Sequence, residues 1–219
     1  MINKYIKTIS ISIILSGITA CNSGGIDSNK TNSNFASQES HCNAPAAFGV
    51  DWHDCDKSNL DLTAVDLSYA NLQGVNFANS KLDKANLRSA NLEKVNFSFA
   101  NLVEADLNNA RLSKAVLSKA DFSSANVSGA FLLDVVANEA NFQYGIFKNT
   151  LLGNGSFISA NFSNANMYGS NLYKGNFRLT NFTNANLDKT MKALADFSQA
   201  TWTNGKICAD PSIEKCNQI

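Results

Sequence analysis

Along most of this chain an apolar residue returns at every fifth position. Beginning at Leu62 and stepping by five, the series passes Leu67, Leu72, Phe77 and Leu82 and keeps its register to Phe197, Trp202 and Ile207. Leu or Phe fills nearly every one of these centres, and only Lys192 is polar. Two residues before each centre runs a second lattice of mostly small side chains, such as Ala70, Ala85, Ala90, Ala100 and Ala105. The remaining positions are largely polar.

Neither regular element suits that period. An α-helix turns about 100° per residue, so five residues carry a side chain about 140° past a full turn and the apolar set wanders. A strand alternates faces at each residue, so an odd period throws successive centres to opposite sides. A backbone that turns one corner per five residues keeps both lattices inside, and four such segments close a square of twenty residues. Residues twenty apart then stack in columns. One column reads Leu62, Leu82, Leu102, Phe122, Phe142, Phe162, Phe182, Trp202. Burying each such side chain contributes roughly 1.5–3 kcal/mol. The Asn or Asp before many centres (Asn71, Asn76, Asn86, Asn91) suits hydrogen bonding to the backbone at corners.

The units Ala85-Asn86-Leu87-Arg88-Ser89, Ala90-Asn91-Leu92-Glu93-Lys94, Ala105-Asp106-Leu107-Asn108-Asn109 and Ala160-Asn161-Phe162-Ser163-Asn164 resemble the pentapeptide-repeat family, whose units read approximately A-[D/N]-L-x-x. The resemblance implies an all-β fold, a right-handed quadrilateral β-helix solenoid. From Leu62 to Trp202 it gives (202 − 62)/20 = 7 coils. At a spacing of about 4.8 Å per coil, the rod is roughly 34 Å long.

That length governs the cysteines that flank the repeats, Cys42 and Cys55 before them, Cys208 and Cys216 after. A disulfide needs Cα atoms within about 7 Å, so the pairs expected are Cys42–Cys55 and Cys208–Cys216, one clasp at each end. The expected organisation is a leader over 1–20, a tether over 21–41, an N-terminal cap over 42–59, repeats over 60–205 and a C-terminal cap over 206–219. His41-Cys42 and His53-Asp54-Cys55 also offer a zinc set in composition. Their spacing matches no finger, and an oxidising compartment favours the disulfide. No metal and no cofactor are expected.

The leader carries Lys4 and Lys7 and a mostly apolar run from Ile9 to Ile18, too short for a membrane span. Ile18-Thr19-Ala20-Cys21 resembles a bacterial lipobox, which implies cleavage before Cys21 and acylation of that cysteine. The Ser- and Asn-rich stretch that follows has the composition of a flexible tether. The expected location is the cell envelope, anchored to a membrane through the acylated N-terminus. Asn22 differs from the aspartate that signals inner-membrane retention in enteric bacteria, which favours the outer membrane, on its periplasmic or its surface face.

Charge narrows the function classes. The formal net charge is zero, so no basic surface for nucleic acid is implied. Both histidines precede the repeats, and neither a nucleophile motif nor a phosphate-binding glycine loop is present, so no enzyme is expected. Gyrase binding by DNA mimicry, an activity known in the wider family, is the alternative. It needs an acidic cytoplasmic rod, whereas Asp56–Gly205 holds 12 acidic and 13 basic residues. The reading that remains is a lipid-anchored scaffold or interaction module, with a protein partner or a second copy still to be identified.

A departure from the pattern lies between Phe131 and Leu151. Phe131, Val136, Ile146 and Leu151 put apolar residues where Asn or Asp usually precedes the centre, and Leu133 and Tyr173 share the face of Phe131. Contiguous apolar surface of this kind marks an interface. Whether the stretch presents that surface or bulges and packs locally around Ala137 is open from sequence. Tyr144, Tyr168 and Tyr173 offer a weaker sugar- or peptide-binding set.

Overall fold

The computed structural model describes residues 41–219. The leader, the lipobox with Cys21, and nearly all of the tether lie outside the described residues. From Asp51 to Trp202 each five-residue unit repeats one conformation: a bridging residue, an inward centre, two turn residues and a small inward residue. Four units close a coil, and the coils stack as a right-handed quadrilateral β-helix.

The ladder follows from that geometry. From Trp52 to Phe182 each centre donates its N–H to the carbonyl nineteen residues on, as Leu72 does to Asn91 at 2.8 Å. From Asn71 to Thr201 each bridging residue donates to the carbonyl twenty-one residues back, as Asn91 does to Ala70 at 2.9 Å. Parallel bridges therefore link residues twenty apart, from Asp51↔Asn71 to Asn181↔Thr201. The corners close when the small residue donates to the preceding centre's carbonyl, as in Ala85 to Leu82 at 3.0 Å. At every fifth residue from Asp54 to Gln199 the second turn residue has φ near +60°, although only Gly74, Gly129 and Gly169 among them are glycine.

Four faces result, named here by their bridging residues. Face one carries Asp51, Asn71, Asn91 and onward by twenties; face two starts at Asp56, face three at Asp61 and face four at Asp66. Every centre from Leu67 to Phe182 is buried. Aromatic columns stack rung on rung: Phe157 on Phe177 at 4.9 Å with planes 2° apart, and Phe142 on Phe162 at 4.7 Å. Where a small inward residue is Ser or Thr, its hydroxyl donates to a backbone carbonyl, as Thr150 does to Val127 and Thr180 to Phe157. No buried side-chain polar atom lacks a partner among the described residues.

The register extends further at one end and less far at the other than the sequence pattern indicates. Pairing begins at Asp51, inside the segment expected as a cap, and Trp52 is a buried centre of the first coil. Lys57 is the next centre; its ammonium lies over the ring of Trp52, 4.0 Å from the centroid, and bonds the Cys42 carbonyl at 2.5 Å. At the other end Ile207 continues the fivefold count but not the coil. The chain reverses at Asn204-Gly205, and Ile207 pairs antiparallel with Thr201, half exposed.

Candidate functional site

The bridging residues form four columns, and their side chains do the same work in each coil. The Oδ1 of Asn or Asp accepts the N–H two residues on, as Asn96 does from Ser98 at 3.0 Å. The Nδ2 of an Asn donates to the Oδ1 one coil below, as in Asn96 to Asn76 and Asn76 to Asp56. The amide columns thus brace each corner and tie neighbouring coils together.

The apolar departure interrupts those columns. On face one the order is Asn91, Arg111, Phe131, Leu151, Asn171, with Phe131 and Leu151 directly bridged. Leu133 and Tyr173 lie on that face as expected, Leu133 beside the buried backbone of Gly153 and Tyr173 half exposed with Lys174 over its ring. Val136 stands on face two above Val116, and Ile146 on face four between Asn126 and Asn166. Phe131, Val136 and Ile146 are each substantially exposed, at 43%, 41% and 40%. The six residues therefore do not form a single flat patch: four share face one, and two flank it round the adjoining corners.

The backbone does not bulge there. Phe131 donates to Ala110 at 3.0 Å and Leu132 to Leu151 at 2.7 Å, continuing the ladder, and Ala137 is fully buried in its column. The apolar side chains consequently project from a regular wall. Below Phe131 lies a shallow depression of about 420 Å³ lined by Glu93, Arg111, Ser113 and Phe131, where Arg111 is ion-paired to Glu93. Val116 occupies the same bridging position one coil before Val136 and is also exposed; its place before the centre Leu117 carries the same sequence signal as Val136, though it is not among the residues expected there. Other exposed apolar residues, Phe99, Leu179 and Leu194, occupy turn positions that the fivefold pattern leaves unassigned.

The tyrosines do not gather into one site. Tyr144 sits at a corner with positive φ, Tyr168 on face four and Tyr173 on face one. Tyr168 borders a second depression of about 380 Å³ with Lys148, Asn149, Asn166 and Asn186, and neither of the other tyrosines lines it.

Surface charge is paired coil to coil. Arg88 meets Asp106 at 3.0 Å, Lys81 meets Asp61 at 3.6 Å, and Lys119 meets Glu139 at 3.6 Å. Such exposed pairs add little stability, and they set opposite signs side by side between coils. On the first rung all four columns begin with aspartate. Backbone and hydroxyl donors of Ser58, Thr63 and Ser68 hold Asp56, Asp61 and Asp66 below the usual carboxylate range. For Asp51 partial burial pulls upward, and the hydrogen bonds from His53 outweigh it.

Both ends are clasped. Cys42–Cys55 and Cys208–Cys216 are disulfides, with Cα atoms 5.5 and 4.9 Å apart. The histidines expected near the first pair are there: His41 stacks on His53 with centroids 4.4 Å apart, and His53 Nδ1 lies 2.8 Å from Asp51. The bonded thiols leave no zinc set in this state.

A sequence family described as pentapeptide repeats matches residues 61–98, 100–136, 115–154, 138–173 and 160–191. Among solved structures, a trypsin-treated variant of QnrB1, a plasmid-mediated fluoroquinolone resistance protein, superposes with TM-score 0.58 at 16% identity, covering 72% of this chain and 77% of its own. HetL, a pentapeptide repeat protein involved in heterocyst differentiation regulation in Nostoc sp. strain PCC 7120, is 22% identical over 81% of this chain and 100% of its own, with TM-score 0.24. A pentapeptide repeat protein of the Arabidopsis thaliana thylakoid lumen is 29% identical over 52% of this chain and 66% of its own, with TM-score 0.32. No curated protein sequence matches. The likeness to QnrB1 is one of fold alone.

Proposed function

The chain belongs to the pentapeptide-repeat family, and from that premise we propose that it is a non-catalytic interaction module of the cell envelope. In this reading Cys21 carries the lipid anchor, and face one, centred on the Phe131–Leu151 rung, meets a protein partner. The observation that carries it is the substitution of apolar side chains for the amide column on an unbent wall. Phe131 and Leu151 forgo the corner-bracing bonds that Asn makes elsewhere, and an exposed Phe adds nothing to the core. Stability alone favours asparagine at both positions; a surface that must stick to something favours what is there.

The test replaces both with Asn. The double variant Phe131→Asn/Leu151→Asn keeps its stability within about 0.5 kcal/mol of the parent, yet loses the neighbour captured by crosslinking in intact cells. Retention of that neighbour at parental yield overturns the assignment of face one. The anchor is tested separately: palmitate labelling in a bacterial host marks the parent and not Cys21→Ala. Gyrase binding by DNA mimicry has less support, because the surface charges pair and cancel. It predicts inhibition of gyrase supercoiling by the chain without its leader, and the interaction-module reading predicts none.

A further inference from the structure

The N-terminal clasp brings together more chemistry than a structural disulfide requires. Both histidines of the chain sit beside it, and none lies near Cys208–Cys216. One ligand atom each from His41, Cys42 and Cys55 falls within 4.8 Å of the others, with Cys55 buried and the other two half-buried. His41 Nε2 stands 3.6 Å from Cys42 Sγ. Tetrahedral zinc, with Zn–S about 2.3 Å and Zn–N about 2.0–2.1 Å, sets the N···S edge of its ligand shell at about 3.5 Å. That edge is already in place.

The segment is also held against the first coil by contacts that do not involve the S–S bond. His41 stacks on His53 and its Nε2 lies 2.9 Å from the His53 carbonyl; Lys57 bonds the Cys42 carbonyl; Trp52 Nε1 donates to the Ala44 carbonyl at 3.0 Å. Cys55 belongs to the coil itself, its N–H bonded to the Trp52 carbonyl at 3.0 Å. Opening the disulfide therefore leaves the two thiols and the imidazole close together. Of the two thiols only Cys42 has to swing aside.

We propose that the reduced form of this clasp is a binding site for a thiophilic divalent cation, with Cys42, Cys55 and His41 as ligands and the fourth position left to water. A small-molecule or protein dithiol supplies two electrons, becomes a disulfide and leaves Cys42 and Cys55 as thiols. Binding of Zn²⁺ then displaces one proton from each thiol, and His41 Nε2 exchanges the His53 carbonyl for the metal as the neutral imidazole. The disulfide form of such a dithiol takes the two electrons back and is reduced to the dithiol, so that the S–S bond re-forms and the cation is expelled. The two states clasp the same end by different bonds, so the site reports thiol redox poise as metal occupancy.

The experiment titrates Co²⁺, a zinc surrogate with a visible spectrum, into full-length chain carrying Cys21→Ser, Cys208→Ser and Cys216→Ser. The chain is reduced with a phosphine under anaerobic conditions. The expected result is one equivalent bound, with thiolate-to-cobalt charge-transfer absorption and tetrahedral ligand-field bands, while the oxidised chain gives neither. His41→Ala in the same background weakens binding at least tenfold, and Zn²⁺ displaces the cobalt. Three results overturn the proposal. One is cobalt spectra no stronger than those of a Cys42→Ser/Cys55→Ser chain that keeps its C-terminal thiols. Another is unchanged affinity in His41→Ala. The third is loss of the β-sheet circular dichroism signal on reduction before metal is added.

Discussion

At the turn positions, residues of every kind accept a backbone conformation that ordinarily favours glycine. Lys84, Glu104, Phe99, Leu179 and Leu194 all hold φ near +60°, a left-handed geometry that costs a side-chain-bearing residue about 1–2 kcal/mol. The regular ladder on both sides of each corner over-determines it, since the flanking N–H and C=O groups are already committed to neighbouring coils. Leu179→Gly, at an exposed corner, raises stability by up to about 1 kcal/mol once glycine's greater unfolded-state freedom is set against the relief; chemical denaturation measures it. Glycine at the inward position plays a different part. A Cβ at Gly175 falls 2.4 Å from Cε2 of Phe177 and 3.1 Å from the Leu172 carbonyl, so the ring lies where the methyl group has to go. Gly175→Ala costs about 1–3 kcal/mol by displacing a stacked ring, read as a lowered unfolding midpoint. Neither role is legible in the sequence. The turn residues give no left-handed signal because most are not Asn, Asp or Gly, and the inward glycines merely pass as small members of the alanine lattice.

Among the coils, the first and last differ from the interior in ways their composition explains. The backbone N–H groups of Asp56, Asp61 and Asp66 have no partner among the described residues, so no described segment pairs with the sheet edge on those faces. A carboxylate at the start of each column guards that edge against pairing with another chain. Because the folded-state pKa values of all four aspartates lie below the unfolded value, their contribution is fully present above about pH 4 and is lost as pH falls through the folded values. Below about pH 4 the hydrogen-exchange protection of the first two coils, taken relative to the intrinsic rate at each pH, is expected to fall while Leu102–Phe162 keeps its own. The C-terminal edge is guarded by structure instead: the antiparallel return of Ile207 and Ile213 covers Thr201 and Asp196, and Arg178 ties the return down through Asp210 at 3.0 Å. Trp202, edge-on to Phe182 and Phe197, seals the aromatic columns beneath it. The interior register and both disulfides can be read from spacing, since a fixed repeat length converts residue number into position. The ends cannot. Lys57 at a centre and Asp54 at a corner hide the first coil, and Ile207 satisfies the count while Asn204-Gly205 turns the chain away from it.

For the whole described solenoid, each coil touches only the coil before and the coil after, so stability is close to a sum of nearest-neighbour terms. Every column is fixed by the rule that residue i lies over residue i + 20, and this makes reach and bearing separate quantities. Removing residues 91–110, one complete circuit, leaves Phe131 on Asn71's face and brings it nearer the N-terminal clasp by about 4.8 Å. Removing only residues 106–110 shortens the stack hardly at all but swings everything downstream by a quarter revolution, pointing the Phe131–Leu151 rung along a different compass direction from the same mooring. A deletion of four or six residues does neither, because it puts polar side chains on the axis. Small insertions and deletions in multiples of five are therefore a steering mechanism, able to re-aim a binding surface without altering a single residue in it.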